Sequence, residues 1–231
     1  MKHFYLTAIT VLVVNLMSMA QNQGWRTVYV EWNPTTVHGK VAANDFNFNA
    51  SFSVGFSRAI ALSNKIPVYL EAGVAAQFMH KNELVKERDD DHDYWYRESK
   101  DYNMLSLRVP INVLYEFRIP NTNVDLIPYT GITLRGNLWG QYKEIDEGFE
   151  YFHGDYDEWY YSDSYNLFSD NEKTGMGKKK AWKRFQMGWQ IGAKALFANK
   201  FVVGVAFGID FLEIANNNKM RSGNFMIGYK F

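Results

Sequence analysis

The chain has 231 residues, with 25 basic and 25 acidic side chains, no cysteine and 17% aromatic residues. Balanced charge without a broad basic face excludes nucleic-acid binding. The lack of cysteine excludes disulfides, thiolate chemistry and thiol-linked lipid together. With no Pro- or Ser-rich linker the length suits one domain, and a slightly negative mean hydropathy beside so many aromatics requires apolar residues to be interspersed with polar ones, as in strands.

Residues 1–20 read as a cleaved secretory signal: Lys2 supplies the positive start, residues 4–16 are almost wholly apolar, and Ser18, Met19 and Ala20 are small or unbranched before a cut at Gln21. Asn15 and the run Gln21, Asn22, Gln23 leave the apolar stretch short of the roughly 20 residues that a spanning helix needs. Residues 21–231 then form one domain. An exported chain without disulfides needs another source of rigidity, and a closed hydrogen-bonded barrel supplies it.

In chain order, eight segments alternate with a period of two, as strands require. Val28, Val30 and Trp32 oppose Tyr29, Glu31 and Asn33. Phe46, Phe48, Ala50, Phe52, Val54 and Phe56 oppose Asn47, Asn49, Ser51, Ser53 and Gly55. Val68, Leu70, Val74 and Phe78 oppose Tyr69, Glu71, Gly73 and Gln77, and Leu105, Leu107, Val109, Ile111, Val113, Tyr115 and Phe117 oppose Ser106, Arg108, Asn112 and Glu116. Leu126, Ile132, Leu134 and Leu138 face away from Tyr129, Thr133, Arg135 and Asn137. The last three segments place Phe185 to Phe197, Phe201 to Phe211 and Gly223 to Phe231, by odd positions, against Gln186, Gln190, Lys194, Gly204, Asp210, Ser222, Asn224 and Lys230.

Gaps between segments alternate between a few residues (around Ser63, Asn121 and Asn199) and about a dozen after Trp32, about twenty from His80 and about forty from Gly140. Short turns on one side and long loops on the other, with an even strand number, describe an all-β, eight-stranded antiparallel up-and-down transmembrane barrel with both termini in the periplasm. A soluble barrel would have to hold the apolar row inside, and an eight-stranded interior has no room for it. The other row contains Gly55, Gly73, Gly131, Gly188, Gly192, Gly204 and Gly208, which suit a crowded interior. Aromatics gather at both ends of the apolar row, Phe117, Phe197, Phe201, Tyr229 and Phe231 at one and Trp32, Phe46, Phe78, Phe185 and Phe211 at the other, as two interfacial girdles.

The stretch LSLRVPINVLYEF at 105–117, PYTGI at 128–132 and the ending IGYKF at 227–231 resemble the porin-like outer-membrane β-barrel domain family. The resemblance implies residence in the outer membrane of a Gram-negative cell envelope, contact with outer-membrane lipid and lipopolysaccharide, and assembly by the barrel-assembly machinery reading the terminal aromatic Phe231. It implies no cofactor.

The inward parity gathers Glu31, Glu71, Glu116 and Asp210 with Arg108, Arg135, Arg184, Lys194 and Lys230, and opposite charges in a narrow interior are expected to pair into a plug. Asp89, Asp90, Asp91, His92 and Asp93 lack the ligand spacing and turn glycine of a calcium loop and read as a solvated run. Tyr151, Tyr156, Trp159, Tyr160 and Tyr161, among acids, suit contact with a sugar or protein. Lys178, Lys179 and Lys180 suit lipid phosphates. No serine stands in a nucleophile motif, and a catalytic pair would have to be assembled across strands, as His80 with Ser99 would be. The expected role is a non-enzymatic barrel with a charge-plugged lumen that displays external loops for surface binding or envelope integrity. A narrow solute channel and a lipid-modifying enzyme are the alternatives.

Overall fold

The computed structural model describes residues 24–39, 46–48, 50–90, 94–152, 155–169, 182–215 and 218–231, and the signal-like segment lies outside them. Among the described residues all regular structure is strand: β1 (Gly24–Trp32), β2 (Thr35–Gly39), β3 (Phe46–Phe48), β4 (Ala50–Ala61), β5 (Val68–Asp90), β6 (Tyr94–Tyr115), β7 (Phe117–Arg118), β8 (Val124–Phe152), β9 (Asp155–Asn166), β10 (Phe185–Phe197), β11 (Phe201–Asp210) and β12 (Asn218–Lys230). The antiparallel ladder runs β1-β4-β5-β6-β8-β10-β11-β12 and closes through β1 and β12, where Thr27 to Trp32 face Lys230 to Phe225.

The closed ring has eight walls because several labelled strands are halves of one. Pairing to β12 passes from Trp32↔Phe225 in β1 to Thr35↔Ser222 in β2 without a slip. Only Asn33 and Pro34 intervene, and Pro34, which has no N–H to give, accepts from the Gly223 amide at 3.0 Å. In the same way β7 continues β6, since Leu114↔Tyr129 and Phe117↔Leu126 keep one register.

The apolar row faces out. Val30, Val54 and Ile227 are 53%, 64% and 60% exposed, while Tyr29, Ser53 and Met226 beside them are 6%, 1% and 5%. This inverts a soluble core and satisfies the row in lipid, with ring closure leaving no wall strand unpaired in hydrocarbon. The girdle aromatics Trp32, Phe78, Phe185, Phe211, Phe117, Phe197, Phe201, Tyr229 and Phe231 are all exposed on this face. The Phe46 side chain lies outside the described residues.

Two expectations need correction. Phe48 is fully buried and faces inward, not out with Phe52. Between the pairs Trp32↔Phe52 and Thr35↔Phe48 there are three steps along β1–β2 and four along β3–β4. One extra residue turns every later side chain to the other face. The long loops expected from His80 and Gly140 are also largely strand. β5 and β6 stay paired out to Asp90↔Tyr94, and β8 runs to Phe152 and pairs with β9 back to Gln141↔Asn166. Beyond the membrane both faces of a sheet meet water, so the two-residue hydrophobic signal fades while backbone pairing continues. The result is a four-stranded blade, β5-β6-β8-β9, standing above one side of the barrel.

Inside, two apolar layers bracket a polar one. At the end that holds Gly24 and Phe231, Tyr29, Ala59, Leu114, Ile127, Leu196 and Val202 pack together. At the blade end, Phe48, Met79, Met104, Tyr142, Trp182 and Met220 form a second cluster. Tyrosine fits this narrow interior where glycine faces it: a Cβ on Gly55 would stand 2.5 Å from the Tyr29 ring, and one on Gly192 2.7 Å from that of Tyr129.

The β10–β11 turn centres on Ala198 and Asn199, both left-handed at φ 49° and 56°, with the Lys200 amide donating to Phe197 O at 2.9 Å. Two consecutive positive φ values make a type I′ turn, and alanine pays about 1 kcal/mol for that conformation. Ala198→Gly is therefore expected to raise stability by up to about 1 kcal/mol, read as a higher urea midpoint for unfolding from lipid vesicles.

Candidate functional site

The polar layer between the apolar clusters is built by inward side chains of seven strands, β1, β4, β5, β6, β8, β10 and β11. Lys194 on β10 donates to both oxygens of Glu71 on β5, each at 2.6 Å, and Glu71 also accepts from Ser57 at 2.8 Å and Asn112 at 3.2 Å. Arg108 on β6 meets Glu31 on β1 at 2.9 Å, and Glu31 accepts further bonds from Asn33 and Ser53. Arg135 on β8 meets Asp210 on β11 at 2.9 Å. Gln190 links the layer sideways, donating to Asn112 and accepting from Thr133.

Six of the nine expected lumen charges thus form three cross-barrel pairs, and the other three do not join them. Glu116 accepts from the Tyr69 hydroxyl at 2.8 Å. Arg184 is exposed, donates to the carbonyls of Asn137 and Leu138, and lies 4.3 Å over Phe168. Lys230 donates to Asn199 and lies 4.6 Å over Trp25. All three sit toward the barrel ends, where solvent and ring faces replace a counter-ion.

Glu31, Glu71, Arg108 and Lys194 surround a cavity of about 20 Å³. A single water needs roughly 10–15 Å³, so this space admits about one water and no solute. The apolar layers on either side were not legible beforehand, because Leu114 and Leu196 share the inward parity with charged neighbours and only packing separates their levels.

The second candidate region is the blade. Trp95 on β6 and Phe149 on β8 pair directly and stack with centroids 6.2 Å apart. Tyr160 on β9 is opposite Glu147, and Glu158 is opposite Phe149. Together with Trp159 these side chains line a groove of about 340 Å³. Arg97 lies 3.7 Å from Glu147, and the Trp159 ring leans on Tyr94 at 6.1 Å. Burial, with Asp146 and Glu98 beside it, raises the Tyr96 phenol above its ordinary range. Blade residues 81–90, 94–103, 141–152 and 155–166 carry fourteen carboxylates against six basic side chains. The neutral chain therefore concentrates eight net negative charges here.

Of the expected contact residues, Trp159 and Tyr160 line the groove, Tyr151 is exposed farther out, and Tyr161 turns to the opposite face, 69% exposed. The Tyr156 side chain lies outside the described residues, as do those of Asp89 and Asp90 and the whole of Asp91, His92, Asp93, His153 and Lys178 to Lys180. Trp95 and Phe149 were missed, since only the register of β6 on β8 brings them together. His80 and Ser99 are not brought together: His80 pairs with Asn103, 2.8 Å from its Oδ1, while Ser99 pairs with Leu84, four residues and so about 13 Å along the strand. Among the described residues no three His, Asp or Glu side chains converge as metal ligands. Phe231 exchanges backbone hydrogen bonds with Arg26 at 3.1 and 2.9 Å and sets its ring 6.4 Å from that of Phe56.

An inside-out, closed antiparallel ring with an outward apolar band defines a transmembrane barrel of the outer-membrane type. The chain matches the outer membrane protein β-barrel domain family over residues 14–212 and belongs to that family. Solved structures with a similar course include Ail, the attachment invasion locus protein of Yersinia pestis, in complex with the heparin analogue sucrose octasulfate, at 11% identity and TM-score 0.41, covering 90% of this chain and 99% of that one. Neisserial surface protein A is 12% identical at TM-score 0.41, over 89% and 95% of the two chains. The outer membrane enzyme PagL is 12% identical at TM-score 0.42, over 89% and 98%. A comparison with curated protein sequences finds no match.

The pair Lys194–Glu71 gives a direct test of the polar layer. Lys194→Met leaves a buried carboxylate without its counter-ion and is expected to destabilise the barrel by about 3–5 kcal/mol. Adding Glu71→Leu to that variant is expected to recover most of the loss, measured by urea unfolding from lipid vesicles.

Proposed function

We propose that this protein is a non-enzymatic outer-membrane barrel, plugged by its own charges, that holds a rigid acidic and aromatic blade outside the cell to bind a cationic partner. In this reading the blade is external and both termini are periplasmic. Phe231 ends the strand read by the barrel-assembly machinery. The observation that carries the proposal is the contrast in space: about 20 Å³ between the lumen charges and about 340 Å³ in the groove on the blade. Aromatic faces beside carboxylates favour a cation, each such ring contact being worth about 0.5–1 kcal/mol at an exposed site. A net negative field strengthens the encounter and weakens with salt.

Two measurements test this. In planar bilayers the refolded protein is expected to give no steady conductance steps; regular ion-selective steps would replace the plug with a channel. In detergent, poly-L-lysine is expected to quench tryptophan fluorescence saturably, and 0.5 M salt to remove the effect. A variant lacking residues 145–162, with Asn-Gly joining the ends, is expected to keep the heat-modifiable gel mobility of a folded barrel and to lose the quenching. Unchanged poly-L-lysine binding by that variant would sink the display reading.

A further inference from the structure

On the outward face, β12 changes character along its length. Its outward row reads Tyr229, Ile227, Phe225, Gly223, Arg221, Lys219, so an apolar run gives way to two cations across one glycine. β2 lies against this end of β12 in the pairs Arg221↔Thr36 and Lys219↔His38, while β11 on the other side supplies Ile209 opposite Arg221 and Phe207 opposite Gly223. Lys219, Arg221 and His38 are all exposed. Neither Arg221 nor Lys219 has an ion pair within the described residues; the acid nearby on the chain, Glu213, lies 3.5 Å from Lys183.

The surface here is concave. A groove of about 350 Å³ is lined by Pro34, Thr36, His38, Phe207, Arg221 and Gly223. It exists because two neighbouring positions withhold side-chain bulk: Gly223 has none, and Pro34 interrupts the strand beside it. The nearest atom to a Cβ at Gly223 would be Pro34 Cγ, at 3.7 Å.

Height decides what can enter. Ten residues separate Arg221 from Phe231 at the opposite rim, about 34 Å along a strand. At a tilt of about 40° that is about 26 Å along the barrel axis, which matches the roughly 25 Å of an outer-membrane apolar band. Arg221 therefore stands where hydrocarbon ends and headgroups begin. Phe207 and Phe225 lie on the hydrocarbon side of it, and the guanidinium is on the headgroup side.

We propose that this groove binds the phosphate of a lipid headgroup in the leaflet on the blade side. Arg221 grips the phosphate through its planar fork, and Lys219 and His38 close over it from β12 and β2. Thr36 offers a hydroxyl, and an acyl chain runs down over Phe207 and Phe225. Basic pockets at this depth favour anionic headgroups over the rest of the bilayer surface. The assignment does not depend on what the blade binds.

The test is native mass spectrometry of the refolded full-length mature barrel, released from detergent with equal amounts of phosphorylated lipid A and its dephosphorylated form. The wild type is expected to retain the phosphorylated lipid at least tenfold more strongly. Lys219→Gln/Arg221→Gln, at two exposed positions, is expected to abolish that preference while the unfolding midpoint stays in place, and Lys65→Gln/Lys200→Gln at the turns is expected to leave it unchanged. Equal retention of the two lipids by the wild type overturns the proposal without any variant. A preference that survives in Lys219→Gln/Arg221→Gln overturns it as well. Inorganic phosphate is expected to compete only at millimolar concentration; tight binding of inorganic phosphate with no lipid preference would make this a site for the free ion and overturn the lipid assignment.

Discussion

Inside hydrocarbon no water is present to accept from an amide or donate to a carbonyl, so each wall strand must be paired on both sides. The ladder between β1 and β12 is where that demand is met, since it turns an eight-walled sheet into a ring. Everything else in the molecule is arranged around the closure. Because the ring is narrow, inward side chains meet across it; because lipid surrounds it, outward ones need only be apolar. The carbonyl of Pro34, taking the Gly223 amide, shows how the ladder carries past a residue that cannot donate.

The interior answers a second constraint, the cost of charge away from water. Lys194, Arg108 and Arg135 each reach a carboxylate on a strand that is not a ladder neighbour, and the carboxylates of Glu71 and Glu31 are also met by hydroxyl and amide donors. Three ion pairs in one layer, capped by Leu114, Ile127 and Leu196 below and by Phe48, Met104 and Trp182 above, form an electrostatic clamp. Such pairs add little stability over an apolar filling but are costly to break singly. They tie together walls that the hydrogen-bonded ladder leaves unjoined.

The wall was legible in the sequence because lipid outside and a polar interior force alternation at every second residue, as at Phe201 to Asp210. The rule failed at Phe48, where one extra residue reverses the parity and no composition signal marks it. It failed again beyond His80 and Gly140, where water on both faces removes the alternation although pairing goes on. Which charges would meet was only partly readable: parity gathered Glu31, Arg108, Glu71, Lys194, Arg135 and Asp210, but it carries no height, so Glu116, Arg184 and Lys230 were grouped with them. The blade groove was not readable, because Trp95, Phe149 and Tyr160 come from three strands whose register is known only in the fold.

The length of β8 has a mechanical meaning. From Gly140 to Phe152 the strand continues for a dozen residues beyond the wall, about 40 Å at the rise of an extended chain, and it is flanked on both sides by β6 and β9 over most of that span. A flexible loop of the same length would wander and would lose that freedom on contact, at about 1 kcal/mol or more per residue ordered. The blade has surrendered it already in folding. Whatever touches Trp159 or Tyr160 meets a mast and not a tether, and its distance from the bilayer is set by strand rise and tilt.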